Sequence, residues 1–190
     1  MLKVAIAGNI ASGKSAVENI LKMKGFSIAD TDEFAHDLLE DNSSVLNAFA
    51  GYDILDKGKI SRKKLGKVVF YDKNLKTMLE NILHPQIRDK INEFFNLHSV
   101  EDIVFVSIPL LFEAGMDDLF DKILFIYADD EIRLLRLIKR NNYTVEYAKT
   151  RMNAQLSQEE KVQKADWVIY NNSSLDDLEA QIITLVEQIR

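Results

Sequence analysis

Residues 8–15 read Gly-Asn-Ile-Ala-Ser-Gly-Lys-Ser, a complete G-x-x-x-x-G-K-[ST] phosphate loop set between the apolar run 2–7 and a helical pattern. No other feature of the 190 residues narrows the fold so far, because the motif works only as a turn from a strand into a helix. At average residue usage it arises by chance in a chain of this length about 1% of the time, before that setting is counted. Gly8 and Gly13 let the backbone turn tightly enough for successive N–H groups to surround phosphate oxygens, and the next helix adds its dipole. Lys14 supplies a full positive charge, and the Ser15 hydroxyl is placed to ligate a Mg²⁺ that bridges the phosphates. The motif predicts a nucleoside triphosphate site along Gly8, Ala11, Ser12, Gly13, Lys14, Ser15 and Ala16; the alternative is a plain glycine-bearing turn.

Composition limits what surrounds that site. A chain of 190 residues, 47% hydrophobic, buries one good core with room for a small subdomain. No apolar run approaches the roughly 18 residues of a membrane span, and residues 1–7 lead into the loop without a basic-then-apolar signal pattern. A cytoplasmic enzyme with no membrane partner is expected. The absence of cysteine excludes disulfides and thiolate metal sites. A net charge of −6 argues against nucleic acid as a partner, so anionic ligands must be met by local positive patches.

Apolar runs suited to buried parallel strands recur at 3–7, 26–29, 103–108, 122–127 and 167–170, separated by helical patterns such as 14–24 and 176–189. Strands alternating with helices predict an α/β chain with a five-stranded parallel sheet wrapped on both faces, the three-layer phosphate-loop fold. About residues 33–100 form a long excursion with helical spacing and no convincing strand, read as a subdomain inserted at the edge of the site. The expected organisation is one phosphate-loop domain: a core of 1–32, 101–132 and 156–190, the helical insertion, and a lid at about 133–155.

The lid assignment rests on charge. Between positions 133 and 151 stand Arg133, Arg136, Lys139, Arg140, Lys149 and Arg151 against one acid, Glu146. Arg133, Arg136 and Arg140 share a helix face opposite Leu134, Leu137 and Ile138, and Asn141-Asn142-Tyr143 reads as a polar tip between two helices. Such a face can bring arginines onto a γ-phosphate as a lid closes and water is excluded; the alternative is an exposed helix with a solvated basic stripe. The second strand ends in Asp30-Thr31-Asp32, where a carboxylate points into the crevice beside the loop. Asp32 is the candidate to accept a proton from an attacking hydroxyl or to hold Mg²⁺, unless Asp30 or Asp32 merely caps the next helix. The third strand ends in Ser107 and Pro109, with no acid at the Walker-B position, so Mg²⁺ must lean on Ser15 and Asp32. That lack disfavours switch GTPases and motor ATPases and favours small-metabolite kinases.

These residues, taken in order, resemble the dephospho-coenzyme A kinase family almost end to end. The likeness is carried by Gly8–Ser15, Asp30-x-Asp32 with Ala35, Gly58 with Arg62, Leu65 and Phe70, Leu83-His84-Pro85, and Pro109-Leu110-Leu111-Phe112-Glu113. It continues through Arg136 and Arg140, Arg151-x-x-x-Gln155, Ala165-Asp166, Val168-Ile169 and Asn171-Asn172. The resemblance implies ATP-dependent phosphorylation of the ribose 3′-hydroxyl of dephospho-coenzyme A, with ATP and Mg²⁺ bound at the loop and the acceptor held by the helical excursion. It implies Asp32 as base, with Lys14 and Arg140 as catalytic partners. Arg136 would contact phosphate, Asn171 or Asn172 would lie near adenine, and His84, Leu111 and Glu113 would sit beside the acceptor with Asp32. It also suggests a monomer or weak homo-oligomer.

The chain departs from the family pattern in four places. Asn9 and Ala11 replace loop glycines, which stiffens the loop; Ala16 replaces a threonine, and Ser173 replaces a glycine. For His84 the alternative is a residue that orders a helix entrance before Pro85; for Glu113 it is a cap or a salt bridge. His36 and His98 read as structural, and Trp167 as core. Other readings are a nucleoside monophosphate or sugar kinase of the same fold, against which no Asp-Gly-x-Pro-Arg motif is found, and a nucleotide-dependent binding module without catalysis.

Overall fold

The computed structural model describes residues 1–189 and runs β1 (Leu2–Ala7), α1 (Lys14–Met23), β2 (Ser27–Asp30), α2 (Thr31–Glu40), α3 (Ser43–Ala48), β3 (Leu55–Asp56), β4 (Lys59–Ile60), α4 (Arg62–Phe70) and α5 (Lys73–Leu97). It continues with β5 (Ile103–Ser107), a 3₁₀ turn at Asp117–Leu119, β6 (Lys122–Tyr127), α6 (Asp130–Asn141), α7 (Val145–Asn153), α8 (Gln158–Val162), β7 (Trp167–Tyr170) and α9 (Leu175–Ile189). Two compact units result: Met1–Ala29 with Leu97 onward, and Asp30–Asn96.

The first unit is built on a parallel sheet of order β2-β5-β1-β6-β7. Its strands are apolar on both faces because both faces are covered. Val4 and Ile6, Ile103 and Phe105, Leu124 and Ile126, and Ile169 pack with Val17, Ile20 and Leu21 of α1 and with Leu178, Ile182, Leu185 and Val186 of α9. Period-two alternation sends Ala5, Ala7, Val104, Val106, Ile123 and Phe125 to the other face, where they too are buried. Each larger side chain so buried contributes about 1.5–3 kcal/mol of transfer free energy. Trp167 packs against the same cluster, as expected of a core residue. The chain leaves β1 toward β2 on one side and later crosses from β5 to β6 on the other, so the end of β1 is the topological switch point. The phosphate loop occupies that end.

The second unit is helical, with two corrections to the expected pattern. Residues 55–60 form a small antiparallel hairpin, pairing Leu55 with Ile60 and Asp56 with Lys59. Lys57 and Gly58 lie at φ 49° and 83°, the two left-handed residues that a two-residue hairpin turn needs. Strands of two residues carry no readable alternation, which is why the sequence pattern missed them. The second correction concerns His84 and Pro85. No helix begins there; Pro85 lies inside the 25-residue α5. Leu83, Ile87, Ile91 and Phe95 recur every four residues and are buried, and that stripe outweighs the roughly 3 kcal/mol that an interior proline costs.

Candidate active site

The start of α1 differs from every other described helix start. Side chains cap α2 (Asp30), α3 (Asn42), α4 (Ser61), α7 (Thr144) and α8 (Ser157), and Asp72 accepts from Asn74 and Leu75 N–H before α5. Helices α6 and α9 carry acids in their first turns. Helix α1 has neither a side-chain cap nor a first-turn acid. Its free N–H groups and positive dipole end are therefore left for an external anion. Ser12 Oγ and Asn9 Oδ1 in the same loop are buried without a partner, a polar arrangement that a bound group would complete.

Gly13 makes the turn possible. Its φ is +96°, and a Cβ on it would stand 1.9 Å from Asn171 Nδ2. Gly13→Ala is expected to cost about 1–3 kcal/mol of stability through strain and the displaced Asn171, and to weaken ATP binding with it. A thermal melt and an ATP titration check this; unchanged values of both would contradict the packing. Ala11 also lies in the left-handed region, at φ 64°, and so pays at this position a steric cost that the glycine of the family pattern avoids.

The loop is braced from outside. Asn9 Nδ2 donates to Leu156 O (2.9 Å), and Ile10 N–H donates to Gln155 Oε1 (2.7 Å). Arg133 Nε donates to Ile10 O (3.0 Å), Asn171 Nδ2 to Ser12 O (2.7 Å), and Arg136 to Ser12 O (3.5 Å) and Asn171 O (3.0 Å). The carbonyls of Ile10 and Ser12 are thus held by outside donors, which keeps their negative ends from a bound phosphate. Asn9 and Gln155 were not among the predicted site residues. Only the Arg-x-x-x-Gln spacing hinted at the second, and an asparagine in place of a glycine hinted at nothing.

The three arginines of α6 do not act as one stripe. Arg133 is 2% exposed and is spent on Ile10 O and on Asp130, 2.6 Å away. Burial lowers its pKa, opposed by the charge of Asp130. Arg136 lies against the loop, whereas Arg140 is exposed near the end of α6 and donates to Asn141 Oδ1 (2.9 Å). The stripe is therefore neither wholly solvated nor wholly presented to phosphate. Asn142, at φ 54°, ends α6 before α7 starts, which is the helix-tip-helix arrangement read from the sequence.

Lys14 Nζ is held by Ser107 Oγ and by Glu18 Oε1 (2.9 Å), and Ser107 Oγ donates to the same carboxylate oxygen (2.6 Å). Glu18 follows Lys14 by one helical turn and is buried. It too was absent from the predicted site. Asn172 exchanges two hydrogen bonds with Asp129, at 2.8 and 2.9 Å, so the paired asparagines divide: Asn171 serves the loop and Asn172 the junction of β6 and α6. Glu113 Oε1 pairs with the buried Lys161 (2.6 Å) and accepts from Leu156 N–H (3.1 Å), the salt bridge weighed for it. Leu111 is 1% exposed, so the structure places its side chain in the core rather than on a ligand-facing surface.

Asp32 and His84 belong to the second unit. Asp30, not Asp32, caps α2: its Oδ1 accepts from Asp32 N–H (2.9 Å), leaving the Asp32 side chain exposed on the first turn. His84 is half-buried on α5, and burial lowers its pKa, with Glu80 opposing and Arg88 and Lys76 adding to the shift. Its imidazole is therefore neutral near pH 7 and can both donate and accept. No group of three or more His, Asp or Glu side chains among the described residues could cage a metal. Mg²⁺ still fits, because it is ordinarily held by one or two protein oxygens, water and substrate phosphates.

A family model described as dephospho-CoA kinase matches residues 2–177. This chain belongs to the dephospho-CoA kinase family. The Listeria innocua dephospho-CoA kinase is 38% identical over 97% of this chain and 96% of its own length. The solved dephospho-CoA kinase of Campylobacter jejuni is similar at a TM-score of 0.75, with 35% identity over 98% of this chain and 96% of that one. A Thermus thermophilus crystal structure is similar at a TM-score of 0.86, with 32% identity over 100% of this chain and 98% of that one. The matched span contains every site residue predicted from the sequence, so the family resemblance read from the motifs stands, as does the parallel α/β phosphate-loop fold. No described helix is long and apolar enough to cross a membrane.

Proposed function

We infer that the chain transfers the γ-phosphoryl group of ATP to the ribose 3′-hydroxyl of dephospho-CoA, giving CoA and ADP. The observation that carries this reading is the uncapped start of α1 with Lys14 beside it, in a chain that matches the dephospho-CoA kinase family model over residues 2–177 and, over 97% of its own length, the Listeria innocua enzyme. In the reaction the acceptor oxygen forms a bond to the γ-phosphorus as the bond to the ADP oxygen breaks, and the hydroxyl proton passes to Asp32. The loop N–H groups, Lys14 and Arg136 hold the phosphates, while Arg140 approaches them as α6 and α7 close over the site and exclude water. Ser15 and Asp32 would hold Mg²⁺, which would supply positive charge to offset that of the ATP phosphates. Asn171 and Asn172 border the adenine of ATP, and His84 and Glu113 orient the acceptor; Leu111 supports them from the core. The reading also takes the protein to be a cytoplasmic monomer or weak homo-oligomer.

The test is ADP release by the purified protein with ATP and Mg²⁺, comparing dephospho-CoA with AMP, adenosine and several sugars. Turnover with dephospho-CoA alone, with new phosphate at the ribose 3′ position, is expected. Turnover confined to another acceptor would leave the nucleotide site standing and overturn the acceptor.

A further inference from the structure

The end of β5 lacks the acid that phosphate-loop enzymes commonly place beside Mg²⁺, yet a carboxylate reaches it from elsewhere. Ser107 closes β5 opposite Ile6 and donates to Glu18 Oε1 at 2.6 Å. On α1, Glu18 falls three residues after Ser15 and four after Lys14, so all three share a helix face. Its side chain is 8% exposed and pairs with Lys14. The other carboxylate oxygen makes no hydrogen bond and is not among the sealed-off polar atoms.

We propose that Glu18, positioned by Ser107, takes the place of the missing strand-end acid and favours the magnesium-bound form of the nucleotide. The reason is charge balance. A buried carboxylate needs a cation nearby. Without nucleotide that cation is Lys14; with nucleotide the Lys14 ammonium turns to the phosphates, and the open oxygen of Glu18 faces the hydrated divalent ion held at Ser15. Glu18 is thus a positioning residue that acts through metal-bound water and hands over one cation as it receives another.

This inference rests on the nucleotide site of the proposed function but not on its acceptor, so the test contains no acceptor. Calorimetric titration with a non-hydrolysable ATP analogue is run across a series of MgCl₂ concentrations and in EDTA. For Glu18→Gln, the MgCl₂ concentration at half-saturation is expected to rise about 10- to 100-fold, while binding in EDTA holds or tightens because Lys14 is released. In Glu18→Gln combined with Ser107→Asp, the acid returns to the strand end and the MgCl₂ dependence is expected to recover. An unchanged MgCl₂ midpoint in Glu18→Gln overturns the proposal. So does equal weakening with and without metal, or a double variant that melts like the native protein yet shows no recovery. Failure of the native protein to bind the analogue at all would instead count against the nucleotide site.

Discussion

Alanine at position 14 is expected to reduce kcat for phosphoryl transfer by roughly 100- to 1,000-fold, the effect of removing one preorganised charge-stabilising donor, about 2.7–4 kcal/mol. Lys14 Nζ is held beside the loop by Glu18 and Ser107 before any nucleotide arrives, and it exchanges these partners for the phosphates when nucleotide binds. The same truncation leaves the Glu18 carboxylate with Ser107 alone, and the melting temperature should fall as well. Steady-state kinetics with ATP and dephospho-CoA, alongside a thermal melt, separates the two effects. Lys14→Arg keeps a charge near Glu18 and should recover more stability than rate, because a planar fork does not reproduce a point charge inside a tight loop. A folded Lys14→Ala protein with native turnover would refute the role given to the phosphate loop.

Asp32→Asn is the second large effect, with kcat expected to drop about 100- to 10,000-fold, as for loss of a general base, and the affinity for ATP changing far less. The adjacent acids allow a clean control. Asp30 accepts the Asp32 N–H and caps α2, so Asp30→Ala should cost about 1 kcal/mol of stability and spare most of the rate. Asp32→Asn keeps the backbone N–H that Asp30 uses and should leave the melting temperature near native. Rate constants from a coupled ADP assay, read beside melting temperatures, test both; native kcat in Asp32→Asn would remove it from the reaction.

Much of this molecule could be read from residue pattern. Each of the five strands is an apolar run bounded by turn residues, and the structure moves their ends by no more than a residue. The loop motif marked the turn from β1 into the uncapped start of α1 because its chemistry is local: two glycines, a lysine and a hydroxyl within eight positions. What escaped was smaller or longer in range. The hairpin at 55–60 is too short for periodicity, and Pro85 looked like a boundary because a local breaker was weighed without the buried stripe on either side of it.

The site beyond the loop divides in the same way. Arg133 and Arg140 are alike in the sequence and share a helix face, yet one is buried on Ile10 O and the other exposed. Glu18 carries no signal of its own in the sequence; β5 brings Ser107 to it across 89 positions. Ile10 and Gln155, and Ser12 and Asn171, likewise meet across more than 140 residues. Residue spacing therefore specified strand, loop and helix, where period and turn chemistry operate over a few positions. Which polar side chains are buried, and what each one holds, arose only when distant segments packed and desolvated charges and amides were brought within reach of partners far away in the sequence.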